Sequence, residues 1–315
     1  MFEPSLFQGA RSYIARNWYS SPDSACLDLS VYAETTPNKN LHMSKVKYSI
    51  IIPAYNEERR IRTTLSTYCT YLEEHYAGAY EILVVLNGCR DKTLEIVNGL
   101  SAQFPTVKIA EYPEPIGKGG AIHKGFSQAR GKYIGYVDAD CSTRPEEMMK
   151  LFALLKENTA FSSVIASRRL RHSQVSKKKL PRKVMSTTFN LTVNTLFDLQ
   201  IADTQCGAKV FTREAIETIL PHLKISNLVI DVDILTELKR RRLLIMESPT
   251  VWADAEHSTI SRPVKTSLVM FVTLLKMKIL KSRLRYLYKI LKPAGTWLQK
   301  RLMNTKEYAH RYISF

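Results

Sequence analysis

From residue 46 to residue 166, short apolar runs alternate with segments whose apolar positions recur every three or four residues. Residues 46–52 form an apolar run without strict alternation, the pattern of a parallel strand buried on both faces. Asn56, Glu57 and Glu58 then predict a helix to about Tyr71, with Asn56 as its cap and two acids at the positive end of its dipole. Residues 81–86 read as a second strand. Asp91 is the predicted cap of a helix that places Leu94, Val97 and Leu100 on one face. A strand at 107–110, a glycine-rich loop and helix at 117–130, and a strand at 132–137 follow. The reading continues with a proline-started helix at 145–156 and a strand at 161–166. Strands alternating with helices predict an α/β fold: a Rossmann-like, doubly wound, mostly parallel sheet. Ligands of such sheets collect beyond the carboxyl ends of the strands, here just after Ile52, Leu86 and Val137.

The two flanks differ from this body. Residues 1–45 lack periodicity and carry turn chemistry at Ser21-Pro22-Asp23 and Thr35-Thr36-Pro37-Asn38, so they read as an irregular extension, with Met43 as a possible internal start and residues 1–42 dispensable for chemistry. The alternating body spans 46–264. In 265–315, Leu268, Phe271, Val272, Leu275 and Ile279, then Leu284, Leu287 and Leu291, make an apolar stripe opposite a cationic face. A basic amphipathic helical region of this kind lies on an anionic membrane surface. The alternative is that the stripe packs on the preceding domain.

Charge sharpens that choice. The 315 residues are 45% hydrophobic and 24% charged, which excludes whole-chain disorder and collagen-like repeats. The net charge of +17 is concentrated: eight cations and no acid lie in 168–183, and eleven cations and no acid in 262–301. Such surfaces attract phosphates, nucleic acid or acidic lipid. No helix-turn-helix, RRM, KH or zinc module is recognisable, so nucleic acid is not expected as a partner. Five dispersed cysteines without a CxxC pair argue against a disulfide framework or structural zinc and fit a reducing compartment. No secretory signal and no run of about 18 uncharged apolar residues is evident. A cytoplasmic protein attached peripherally to the cytosolic face of a membrane is the expected location.

The candidate chemistry sits where the sheet predicts it. Asp138 and Asp140 follow the fourth strand; residues i and i+2 of an extended segment point the same way, so both carboxylates can face one ligand. Two carboxylates with diphosphate oxygens and water suit Mg²⁺ or Mn²⁺. Gly117-Lys118-Gly119-Gly120 opens a helix, where glycines allow close backbone approach and the helix N-terminus favours anions. Each piece alone is weak. Two acids at a strand end are more often a solvated turn, and a glycine-rich stretch is more often a plain connection.

Together they resemble the family 2 glycosyltransferases of GT-A fold. The carrying residues are Ile51-Ile52-Pro53-Ala54-Tyr55-Asn56-Glu57-Glu58, Gly117-Lys118-Gly119, Gly131-Lys132-Tyr133 and Val137-Asp138-Ala139-Asp140. Asp203-Thr204-Gln205-Cys206-Gly207-Ala208-Lys209-Val210-Phe211 and Ile230-Asp231-Val232-Asp233-Ile234-Leu235 are similar to the polyprenyl-phosphate branch, dolichyl-phosphate glucosyltransferases first and dolichyl-phosphate mannose synthases next. The resemblance implies Pro53, Tyr55, Glu57, Asn87 and Lys118 on the nucleotide side. It implies Asp138 at nucleotide and metal, Asp140 on the metal, and Arg168 and Arg182 by the diphosphate or acceptor phosphate. Two departures stand out. Leu86-Asn87-Gly88-Cys89 replaces the usual Asp-Asp-Gly-Ser, and Ser142 replaces the glutamine of the mannose synthases.

The implied activity is a single inverting transfer from a nucleotide-diphosphate sugar, UDP-glucose favoured over GDP-mannose, to a lipid phosphate. Charge growing on the leaving diphosphate calls for a metal and nearby cations. Asp203 is the candidate catalytic base or acceptor-orienting acid; a structural Asp fixing its loop is an equally weighted reading. A glycan or other hydroxyl acceptor is the alternative within the enzyme class, and a basic nucleic-acid-binding or non-catalytic scaffold the alternative outside it. Metal-dependent turnover lost on changing Asp140 separates the classes. His257 is read as structural.

Overall fold

The computed structural model describes residues 46–176, 180–253 and 263–282, with side chains for 46–176, 185–253 and 266–282. The predicted extension 1–45, Arg182 as a side chain, His257, and everything beyond 282 lie outside those residues.

The first half winds as the pattern predicts: β1 (Tyr48–Ala54), α1 (Ile61–Tyr76), β2 (Tyr80–Asn87), α2 (Thr93–Gln103), β3 (Val107–Tyr112), α3 (Gly117–Gln128), β4 (Tyr133–Tyr136), α4 (Pro145–Glu157) and β5 (Ser163–Ser167). The second half adds β6 (Gln174–Val175), α5 (Leu180–Phe197), β7 (Lys209–Thr212), α6 (Arg213–Ile219), α7 (Ile230–Arg240), β8 (Ile245–Pro249), β9 (Val251–Trp252) and α8 (Pro263–Leu280). Seven strands make one sheet in the order β3-β2-β1-β4-β7-β5-β8. All its pairings are parallel except those of β7, which inserts antiparallel between β4 and β5. The mixed α/β sheet is thus mostly parallel, as expected. Strands β6 and β9 form a small separate pair.

Strand alternation divides the core. Ile50 and Ile52 point to the face covered by Ile61, Leu65 and Leu72 of α1 and Met148, Leu151 and Phe152 of α4. Ile51 points to the opposite face, with Ile122 and Phe126 of α3, Ile216 of α6, Ile234 and Leu238 of α7, and Leu274 and Met277 of α8. Every position of β2 is buried, which is why it reads as a continuous apolar run rather than an alternating one.

Three local expectations are corrected. Asn56 is not a helix cap: it adopts φ 52°, and its Oδ1 accepts the Arg90 N–H at 2.8 Å, tying the loop after β1 to the loop after β2. The helix begins only at Ile61. Gly117 to Gly120 are not a loop but the first turn of α3. Asp231 is not a cap for α7. Its side chain turns inward, and Asp233 instead accepts the N–H groups of Lys224 and Ile225, at 2.6 and 2.9 Å.

Helix α8 combines the two readings of the C-terminal stripe. Val269, Thr273, Leu274 and Met277 are buried, whereas Leu268, Phe271 and Leu275 are 44%, 41% and 42% exposed. The stripe singled out by the sequence is therefore largely the outward face. Two cations counted toward the polar face are spent on the protein: Lys281 pairs with the buried Asp233 and Glu237, and Lys278 donates to the Leu196 carbonyl at the end of α5. No helix among the described residues is long and apolar enough to cross a membrane.

Candidate active site

The candidate site lies at the carboxyl ends of β1, β2 and β4. Asp138 and Asp140 follow β4, and α1 fixes the turn that carries them. Buried Thr64 donates to the Ala139 carbonyl at 2.9 Å, and buried Tyr68 to the Thr143 carbonyl at 2.8 Å. Cys141 takes the left-handed conformation, φ 56°, which lets Asp140 Oδ1 accept the Ser142 N–H at 3.0 Å. Arg60 reaches the same turn. It holds Glu57 through two hydrogen bonds of 2.7 Å and places Nη1 4.0 Å from Asp140 Oδ2. Glu57 is thus an orienting partner of Arg60, a residue the sequence reading passed over.

The loops after β1 and β2 are cross-stitched. Thr93 Oγ1 accepts the Glu57 N–H, and Asp91 accepts the N–H groups of Glu58 and Thr93. Pro53 and Tyr55 are half-buried on this rim. Asn87, expected on the nucleotide side, is 4% exposed, and its Oδ1 accepts the N–H groups of Ile116 and Gly117 at 2.6 and 3.1 Å. It positions the start of α3. Gly119 gives that start its close packing: a β-carbon there would lie 2.4 Å from the Ile225 carbonyl oxygen. The helix turn so fixed projects Lys118 to Asp138 Oδ1 at 2.8 Å.

Behind Lys118 lies a buried polar chain absent from the sequence reading. Asp231 Oδ1 accepts from the Tyr136 hydroxyl at 2.5 Å and from Lys209 at 2.6 Å, and its Oδ2 lies 3.7 Å from Lys118. Lys209 is fully buried and also donates to the Cys206 carbonyl. A buried lysine needs such partners, because an unpaired charge in the interior is strongly destabilising. Although burial raises it, the Asp231 carboxyl is held below its ordinary range by Lys209 and Lys118. Lys118 is pushed the other way: burial lowers it, but Asp138 and Asp231 together raise it well above the usual lysine range, so it is charged.

Arg168 and Asp203 form the second charged element. Asp203, 2% exposed, accepts from Arg168 Nε at 2.7 Å, Nη2 at 2.9 Å and the Arg168 backbone at 3.0 Å. Despite burial, these bonds pull its carboxyl down to about 2. Both oxygens are engaged, so Asp203 is a poor proton acceptor, and the loop-fixing reading fits its geometry better. Arg168 also stacks over Trp252, with its guanidinium carbon 5.3 Å from the ring centre. Helix α5 holds the loop: Asn190 bonds Ala202 and Thr204, and Asn194 bonds Ile201. The same loop ends at Gly207 against the Asp138 carboxylate.

Among the described residues no cluster of three or more His, Cys, Asp or Glu side chains converges on a point. A closed protein cage for a metal is therefore not formed by them. Asp138 and Asp140 supply two hard, partly exposed oxygen donors, the set that suits Mg²⁺ or Mn²⁺ when substrate phosphates and water complete the shell. The ammonium already seated on Asp138 shows that this carboxylate accommodates a cation.

The fold is of GT-A type. The model of "Glycosyl transferase family 2" matches residues 49–220, and the chain belongs to that family. It is 32% identical over 219 residues to a dolichyl-phosphate beta-glucosyltransferase of Trichomonas vaginalis, covering 67% of this chain and 65% of that one. The Saccharomyces cerevisiae protein of the same name is 31% identical (71% and 73% covered), and the Homo sapiens one 30% (81% and 79%). Among solved structures, glucosyl-3-phosphoglycerate synthase from Mycobacterium tuberculosis with Mn²⁺, UDP-glucose and phosphoglyceric acid shares the fold. Its TM-score is 0.58 at 15% identity, with 76% and 82% covered.

Proposed function

We propose that this glycosyltransferase moves glucose from UDP-glucose to dolichyl phosphate, or a related polyprenyl phosphate, at a membrane surface. The relatives' names support the sugar and the acceptor. The observation that carries the reading to chemistry is the Lys118–Asp138–Asp140 constellation on the fixed turn after β4.

Asp138 and Asp140 would hold Mg²⁺ or Mn²⁺, which when bound stabilises negative charge on the departing diphosphate. Lys118, at the first turn of α3, adds a positive charge on the same side, and the α3 N-terminus adds its dipole. Pro53, Tyr55 and the Glu57–Arg60 pair line the nucleotide rim. Arg168, locked by Asp203, presents a preorganised guanidinium toward a phosphate; Arg182 is assigned the same neighbourhood by resemblance. The acceptor oxygen attacks C1 as the bond to the diphosphate breaks, so one displacement inverts the anomeric centre. A hydroxyl acceptor needs its proton removed, and the fully engaged Asp203 is unsuited to that. A phosphate acceptor is already anionic, which favours the lipid phosphate over a glycan hydroxyl.

The exposed Leu268, Phe271 and Leu275 of α8, with Leu191 of α5 at 66% exposure, are the apolar surface that would meet the bilayer. The acid-free sequence from 262 to 301 supplies the charge for anionic lipid. A panel of UDP- and GDP-sugars with polyprenyl phosphate and Mg²⁺ or Mn²⁺, products weighed by mass spectrometry, tests the reading. A glucosylated lipid phosphate from UDP-glucose supports it; turnover of GDP-mannose alone overturns it.

A further inference from the structure

The inference rests on reading Asp138 and Asp140 as a divalent-cation site, and concerns what Lys118 does when that cation arrives. Lys118 Nζ is shared unequally, 2.8 Å from Asp138 Oδ1 and 3.7 Å from Asp231 Oδ2. Asp231 is 2% exposed, and both of its strong partners, Tyr136 and Lys209, use Oδ1. The oxygen facing Lys118 is the other one. A shift of Nζ by about 1 Å closes the longer gap to ordinary hydrogen-bond length.

The backbone beneath Lys118 is held. Gly119 and Gly120 donate to the Ser226 carbonyl at 2.7 and 3.1 Å, and Asn87 holds Gly117. Only the side chain is left to move. A divalent cation on Asp138 would stand beside the ammonium already there, and like charges at such range repel strongly inside a protein. Asp231 offers the ammonium a second carboxylate within reach.

We propose that Lys118 is an exchangeable counter-ion of Asp138. It holds the carboxylate in the metal-free site and passes to Asp231 when a divalent cation takes Asp138, remaining charged beside the diphosphate. Asp231 is then a positioning residue for Lys118, acting through it and not on the substrate.

Mn²⁺ titrated into the full chain, alone and with saturating UDP, and followed by electron paramagnetic resonance of the free ion, tests this without any turnover. Lys118→Met removes the competitor, so Mn²⁺ alone should bind roughly tenfold tighter than to wild type. Asp231→Asn removes the second berth and should weaken Mn²⁺ binding by a similar factor. The double variant should bind Mn²⁺ as Lys118→Met does, because Asp231, still the partner of Lys209, reaches the metal site only through Lys118. Equal or weaker Mn²⁺ binding by Lys118→Met overturns the proposal, as does an Asp231→Asn loss that persists in the Lys118→Met background. Where Asp231→Asn fails to fold, Lys118→Met alone decides. Uptake of no Mn²⁺ by either protein, with or without UDP, overturns the metal reading and this proposal together; equal uptake overturns this proposal alone.

Discussion

A β-carbon on Gly207 would lie 2.0 Å from Asp138 Oδ2. The loop from Asp203 to Gly207 therefore closes directly on the carboxylate, and only a glycine lets it do so. Gly207→Ala must displace Asp138 by an ångström or more while leaving the core on either side of the sheet in place. A misplacement of that size at reacting groups costs about 10²-fold in rate. We expect kcat/KM for the donor to fall by about that factor with the melting temperature within a few degrees of wild type. An unchanged kcat/KM contradicts the geometry.

Asp140→Asn should abolish transfer and leave the fold intact. Asp140 is partly exposed, and its bond to the Ser142 N–H can be kept by an amide oxygen, so little packing is lost. What is lost is a charged donor to a hard cation. Full turnover by the purified variant at limiting metal would remove Asp140 from the metal site.

The Arg168–Asp203 pair predicts an acid limb in stability. Asp203 has a carboxyl near 2 when folded, below the ordinary value near 3.9. A depressed folded value means the contribution is present above about pH 4 and is lost as pH falls toward 2; the shift corresponds to roughly 2–3 kcal/mol. Asp203→Asn should lose about 3 kcal/mol at neutral pH, because it strands a buried guanidinium, and should flatten the limb between pH 4 and 2. Denaturant melts across that range decide. A variant as stable as wild type, with the same acid limb, counts against the pair.

Replacing Leu268, Phe271 and Leu275 together by Ser should reduce sedimentation with anionic liposomes and transfer to a lipid acceptor, yet spare hydrolysis of the donor. These side chains are outward on α8, whereas Val269, Leu274 and Met277 hold the helix to the core. Wild-type sedimentation by the triple variant would leave the apolar stripe without a membrane role.

The parallel half of the fold was legible because its signals are local. The uninterrupted apolar runs of β1 and β2, and the proline opening α4, each follow from a few adjacent residues. The antiparallel insertion of β7 was not legible, since Lys209 at its start breaks the apolar run that marks a buried strand. That same lysine was the available signal: a cation flanked by Ala208, Val210 and Phe211 needs a buried acid, and Asp231 is that acid. Position after β4 singled out Asp138 and Asp140 as a pair, whereas Lys118, read in a glycine-rich loop, sits in the first turn of α3 beside Asp138. Asn87, Arg60 and Asp203 had roles that depend on partners 29, 80 and 35 residues away in the chain, which spacing alone does not reveal. In α8 the periodicity found a stripe but not which of two faces the core would take, because Thr266 and Thr273 pack inward where a sequence pattern reads them as polar.

The central claim is that glucose passes from a nucleotide to a lipid that already carries its charge. Its most direct test presents the purified chain with UDP-glucose and Mn²⁺ and two matched acceptors in vesicles, dolichyl phosphate and dolichol, and weighs the products by mass spectrometry. The account predicts glucosyl phosphodolichol from the first and no glycolipid from the second. Equal glucosylation of dolichol, or a product from neither while a free glycan is extended, would contradict it.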